Sequence, residues 1–158
     1  MGKNTLKFEI AFVPDFTPEV TPKMIAAGMD VLRPKVEQNL KRVVANPAYL
    51  FQDSRSTGSL FKSISTSNTF FRDGRTRFFA NIYFEGTDEK RLDPKENLIE
   101  RKSPIRQGEK AAYLNYGATR TKRGTTHRTL FKNKADTAAK RGVETAMQKV
   151  LNEALNNI

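Results

Sequence analysis

The chain has no cysteine and a single histidine, His127. Without cysteine, no disulfide can staple the fold and no thiolate can bind metal. One histidine alone is poor material for a metal centre. His127 sits in a basic, polar stretch, Thr126-His127-Arg128, with no carboxylate beside it to orient the ring. No run approaches the roughly 18–20 apolar residues of a membrane span, so no membrane partner is expected. The N-terminus, Met1-Gly2-Lys3-Asn4, lacks the apolar stretch behind a basic one that marks a signal peptide. It also lacks Ser or Thr where a myristoylation signal needs it. The expectation is a protein made in a cytosol and remaining soluble. Glycine-rich phosphate loops are missing as well, because Gly108, Gly117 and Gly124 do not have the spacing of one.

Catalytic groupings are equally scarce. A nucleophile needs an activating base, and Ser54, Ser56, Ser59, Ser63 and Ser65 stand in no G-x-S-x-G elbow. They read as turn and strand-edge residues. A nuclease would cluster carboxylates around Mg²⁺. Only Glu85, Asp88 and Glu89 come close together, and Lys90 and Arg91 follow at once. Asp88-Glu89 therefore reads as a solvated pair in a charged loop. The expectation is no enzyme, no metal and no cofactor.

What is present is one domain's worth of chain, 158 residues taken as a single unit over 1–158. Hydrophobic content is 37% and charged content 28%. That composition supports one modest core and leaves much polar chain for loops or partners.

Residues 5–13 (TLKFEIAFV) alternate, with Leu6, Phe8 and Ile10 on one face, as in a half-buried strand. Thr21-Pro22 offers an N-cap followed by a proline at the first helical position. Ile25, Met29, Leu32, Val36, Leu40 and Val43 then recur at spacings of three and four, which predicts one helix of about six turns. The stripe keeps its phase across Pro34, so the proline is expected to bend this helix rather than divide it. Asn46-Pro47 ends it. A short helical turn is expected near Leu60. Residues 63–71 and 75–85 then read as a hairpin around Asp73-Gly74. The second strand carries Phe78, Phe79, Ile82, Tyr83 and Phe84, mostly as core, and is expected in the middle of the sheet. Phe70 and Phe71 are candidates to pack on a neighbour.

Residues 86–108 are polar and aperiodic and read as an extended loop. Residues 110–116 (KAAYLNY) suit one helical turn or a strand. The last helix is the plainest signal. Ala135, Ala138, Ala139, Gly142, Val143, Ala146, Met147, Val150, Leu151, Ala154 and Leu155 make one stripe. Its small residues allow close approach to a neighbouring element. The fold class expected is α+β, a mostly antiparallel sheet packed by two long helices, with long polar loops.

Charge is concentrated. Net charge is +11, and residues 101–134 hold ten cations (Arg101, Lys102, Arg106, Lys110, Arg120, Lys122, Arg123, Arg128, Lys132, Lys134) against one acid, Glu109. A basic loop over 101–134 could contact phosphates or dock on an acidic protein surface. Tyr113 and Tyr116 fit core or interface as well as base stacking, and residues 117–130 contain no aromatic. Base-specific recognition is therefore not expected. Arg120, Lys122 and Arg123, between Gly117 and Gly124, and Arg128 beyond them, are the candidate contacts.

Four features occur together in one order. A long N-terminal helix comes first, followed by Thr57-Gly58-Ser59-Leu60-Phe61-Lys62-Ser63-Ile64 leading into a hairpin. Tyr113-Leu114-Asn115-Tyr116-Gly117 is next, and an alanine-rich C-terminal helix closes the chain. Over residues 21–158 this pattern resembles the tail-completion, or head–tail joining, proteins of long-tailed bacteriophages. Before the last helix the chain reads Arg128-Thr129-Leu130-Phe131, without the proline of that family's pattern. The resemblance implies a structural neck protein of the virion, made in the host bacterial cytoplasm. It implies a homo-oligomeric ring, other phage neck and tail proteins as partners, and possible nonspecific contact with DNA in the channel. A tail terminator, or a sequence-nonspecific nucleic-acid-binding module, is the alternative.

Overall fold

The computed structural model describes residues 19–45, 57–67, 70–72, 77–93, 95–117 and 128–157, with the backbone alone at 70–72 and 77–79. The element order is α1 (Val20–Ala45), α2 (Ser59–Lys62), β1 (Ile64–Thr66), β2 (Phe70–Arg72), β3 (Arg77–Phe79) and β4 (Ile82–Phe84). It continues with β5 (Thr87–Leu92), β6 (Leu98–Arg106), α3 (Gln107–Tyr116) and α4 (Phe131–Asn156). The class is α+β, with antiparallel strand pairing and two long helices, as the periodicities predict. The expected strand at residues 5–13 lies outside the described residues.

The two long helices pack chiefly on each other. In α1 the expected stripe, Ile25, Met29, Leu32, Val36, Leu40 and Val43, is buried, and Met24 and Gly28 join it. Ile25, Leu32 and Leu40 are fully enclosed, and each contributes roughly 1.5–3 kcal/mol of burial. Helix α1 runs unbroken through Pro34, whose ring is exposed. It begins at Val20, so Thr21 lies inside the first turn instead of capping it, and its side chain is buried. Its described residues run to Ala45, and the expected ending at Asn46-Pro47 lies outside the described residues.

Helix α4 runs antiparallel to α1. Asn39 Nδ2 donates to the Phe131 carbonyl at 3.2 Å, while Gly142 lies against Val31, where a Cβ would sit 3.0 Å from Val31 Cγ1. The glycine thus gives the close approach expected of the small-residue face. The buried line of α4 is narrower than the predicted stripe: Phe131, Ala135, Ala139, Val143 and Met147. Ala138 and Leu155 are exposed. Steps of four select one line of contact on α1, and Ala138 falls to its side.

The predicted hairpin forms as two short ladders in line. Strand β1 pairs with β4 (Ile64↔Phe84, Thr66↔Ile82), and β2 pairs with β3 (Phe70↔Phe79, Arg72↔Arg77). Thr66 pairs with Ile82 and Phe70 with Phe79, a step of four residues on one side against three on the other, so one extra residue breaks the register. Ser67 N–H donates to the Asn81 carbonyl at 2.9 Å, and Asn81 N–H donates to Ser67 Oγ at 2.8 Å, which ties the break together. Strands β3 and β4 are paired on one side among the described residues, not central as expected. Ile82 is buried, and Phe84 meets Phe131 edge-on, with centroids 6.4 Å apart at 85°. The side chains of Phe70, Phe71, Phe78 and Phe79 lie outside the described residues.

Residues 86–108 are not a loop. Strands β5 and β6 form a second hairpin, and the chain then passes directly into α3. The register jumps from Asp88↔Ile105 to Lys90↔Glu100, so Glu89 faces residues 101–104. Pro104, which has no N–H to give a ladder, falls in that irregular stretch. At the tip, Asp93 Oδ1 accepts the N–H of Lys95 at 2.9 Å and of Asn97 at 2.8 Å. Both faces of this hairpin are largely exposed, which is why it lacks the alternation that marks a half-buried strand. The expected basic loop over 101–134 is corrected with it. Residues up to 106 belong to β6, 107–116 are helical, and α4 begins at Phe131. No helix among the described residues is long and apolar enough to cross a membrane.

Candidate functional site

Among the ten cations of residues 101–134, the fold uses three internally. Arg101 Nη2 lies 2.9 Å and Lys110 Nζ 2.7 Å from Asp88 Oδ2. Lys132 Nζ lies 2.7 Å from Asp136 Oδ2. Lys102, Arg106, Arg128 and Lys134 are exposed. Of the four candidate contacts, Arg128 is thus on the surface, and Arg120, Lys122 and Arg123 lie outside the described residues, as does His127.

Asp88 overturns its reading as a solvated loop carboxylate. It is 2% exposed, on β5, and joins three other elements. Arg101 reaches it from β6 and Lys110 from α3, while Ser59 Oγ of α2 donates to Oδ1 at 3.2 Å. Burial pushes its pKa up. The Lys110 hydrogen bond and charge, the Arg101 charge and the Ser59 hydroxyl outweigh that and hold the carboxyl below its ordinary 3.8. An acid held ionised by two cations serves as an anchor and is ill-suited to general-base work near neutral pH. Arg101 Nε is buried there without a hydrogen-bond partner.

A second junction holds α3 to the start of α4. Thr129 N–H and Oγ1–H both donate to the Leu114 carbonyl, at 3.2 and 2.6 Å, and Leu130 N–H donates to the Asn115 carbonyl at 3.0 Å. The chain on either side of residues 118–127 is clamped at one point. Asn115, fully buried, also accepts the N–H of Lys132 through its side chain at 3.0 Å. This is how α4 begins without a proline. Leu130 takes a left-handed backbone (φ 52) and has no side chain able to cap, so a neighbouring helix supplies the cap.

Aromatics mark the surface beside these junctions. Phe61 on α2 is 36% exposed, and Tyr113 and Tyr116 on α3 are 37% and 54% exposed. Neither tyrosine is core. Tyr113 OH donates to Glu109 Oε1 at 2.6 Å, and that carboxylate holds the phenol's pKa above its ordinary 10.0. Helices α2 and α3 are neighbours, and Ser59 and Lys110 meet on Asp88 between them.

A small cavity beside the core measures about 10 Å³, lined by Leu32, Val36, Ile82, Phe84, Phe131, Lys132 and Asp136. It has room for about one water and no more. No group of three or more His, Asp or Glu among the described residues could hold a metal. Asp88 and Asn115 escaped the sequence reading because their signal is not local. Their partners lie 13, 22 and 29 residues away for Asp88, and 17 and 18 for Asn115. Comparison with known protein families, with curated proteins and with solved structures gives no match.

Proposed function

We propose that the protein is a structural component of the head–tail junction of a long-tailed phage or prophage. In this role it docks the tail to the head connector as a ring of copies, and works in the virion alongside other neck and tail proteins. One observation carries the reading. The two segments of the resemblance, residues 57–64 and 113–117, are far apart in sequence but lie on neighbouring elements, and each leaves aromatics exposed, Phe61 from one and Tyr113 and Tyr116 from the other. Exposed aromatics on neighbouring elements are the material of a protein interface. In this reading Arg120, Lys122, Arg123 and Arg128 are the candidate contacts with a neighbouring ring or with DNA in the channel.

The test is the mass of the purified protein by light scattering, alone and with the connector and tail-tube proteins of its own phage. A ring, or a monomer that joins those proteins, is expected. Phe61→Ser with Tyr116→Ser should abolish assembly while the helical circular dichroism persists, since neither side chain belongs to the core. Charge reversal at Arg120, Lys122 and Arg123 should impair assembly with little change in melting temperature. A monomer that joins neither protein sinks the proposal, and so does a charge-reversal variant that simply unfolds.

A further inference from the structure

The helix pair carries cations that lie far apart in the sequence. Lys35 and Arg42 are seven residues apart on α1, and Lys134 and Arg141 seven apart on α4. Seven residues are about two turns, so each pair shares a face. Contacts on the opposite side show which face. Arg33 donates to Thr66 Oγ1 at 3.2 Å and to the Ile64 carbonyl at 3.4 Å, so it faces β1. Lys132 and Asp136 line the small cavity with Ile82 and Phe84, so they face β4. At about 100° per residue, Lys35 and Arg42 lie roughly 180–200° around α1 from Arg33. Lys134 and Arg141 lie roughly 180–200° around α4 from Lys132. All four stand on the side away from the β-ladders.

Their order along the pair is set by two contacts, Asn39 with the Phe131 carbonyl and Val31 with Gly142. In this antiparallel register the cations run Arg42, Lys134, Lys35, Arg141, alternating between helices over about 17 Å at 1.5 Å per residue. All four are exposed. None makes an ion pair or side-chain hydrogen bond among the described residues. The residues between them on this face are Gln38, Asn39, Thr137 and Ala138, with Val31 packed against Gly142 at the Arg141 end, so there is no aromatic and no exposed aliphatic side chain larger than alanine. The nearest acid along either helix beyond the strip is Glu144, one turn past Arg141.

We propose that this strip binds the phosphate backbone of nucleic acid without reading bases. An acidic protein partner would bring apolar or aromatic anchors to its interface, and the strip offers it none to meet. Phosphate contact needs only cations free to release counterions. Duplex DNA presents about ten phosphates over the same 17 Å. The proposal goes beyond the head–tail reading and does not depend on it.

The experiment is fluorescence anisotropy of the full chain with a mixed-sequence 30-mer, duplex and single-stranded, across about 50–300 mM salt. The quadruple variant Lys35→Gln, Arg42→Gln, Lys134→Gln, Arg141→Gln is compared with Lys23→Gln, Lys62→Gln, Lys102→Gln, Arg106→Gln, which makes the same charge change at exposed sites elsewhere. The strip variant should bind about 100-fold more weakly at low salt, with the log–log salt slope for duplex reduced by about 3–4. The control should bind nearly as wild type, and both should melt like wild type because every altered side chain is solvated. Three outcomes overturn the proposal: equal losses in strip and control variants, no binding by wild type at 50 mM salt, or polyglutamate bound as tightly as DNA with the same sensitivity to the strip. Light scattering with the connector and tail-tube proteins uses no DNA, so failure here and failure of the head–tail reading are separate results.

Discussion

The side chain of Asn115, at the end of α3, accepts the backbone N–H of Lys132 at 3.0 Å and donates through Nδ2 to Asn133 Oδ1 at 2.9 Å, so one helix caps another. The residue before α4, Leu130, cannot do this itself. Asn115→Ala removes the cap, worth about 1 kcal/mol, and strands buried polar groups that cost about 1 more. The expected loss is about 2 kcal/mol, read as a lower urea midpoint at unchanged slope. An unchanged midpoint would show that α4 does not depend on Asn115.

The parts of this fold that sequence made legible are those whose signal is local and one-sided. Helix α1 buries the six residues its spacing picked out, and α4 lies where its alanines placed it. The first hairpin follows from a turn dipeptide between apolar strands. Strands β5 and β6 were hidden because solvent reaches both faces, so no alternation is required of them. Asp88 was hidden for the opposite reason. Its charge suggested solvent, and only the folded chain brings Ser59, Arg101 and Lys110 around it. The candidate cations were legible as a local excess, but which of them the fold neutralises was not.

Asp88 gives the protein an acid limb. Its pKa in the folded state is below the ordinary 3.8, so between the two values the unfolded chain binds more protons and stability rises with pH. The contribution is fully present above about pH 4 and fades as pH falls through the folded value. Asp88→Asn should cost about 3 kcal/mol at pH 7, because two cations lose their buried partner. It should also flatten the decline of stability below pH 4. Urea midpoints at pH 7, 4 and 3 test this. A variant whose decline parallels wild type would place the acid sensitivity elsewhere.

Gly142 stands where α4 approaches Val31, and an added Cβ would lie 3.0 Å from Val31 Cγ1. Alanine favours a helix over glycine by about 1 kcal/mol, but here the gain is offset by a stiff, branched neighbour. Gly142→Ala alone should therefore leave stability nearly unchanged. In a Val31→Ala background, where the obstructing methyl is gone, the same change should stabilise by about 1 kcal/mol. The double-mutant cycle reads the coupling directly, and simple additivity would refute the close-approach argument.

Pro34 sits in the middle of α1 with its ring in solvent, while Leu32 and Val36 on either side are buried. It deprives the Asp30 carbonyl of its helical N–H donor and adds no core contact. In a helix interior proline is about 3 kcal/mol less favourable than alanine. Part of that is returned because proline also restricts the unfolded chain. Pro34→Ala should therefore stabilise by about 2 kcal/mol, raising both the melting temperature and the urea midpoint. The amide that the substitution introduces should be protected from exchange, and amides around Asp30 should exchange more slowly as the ladder closes. A loss of stability instead would mean that the shape proline gives α1 is required for its fit against α4.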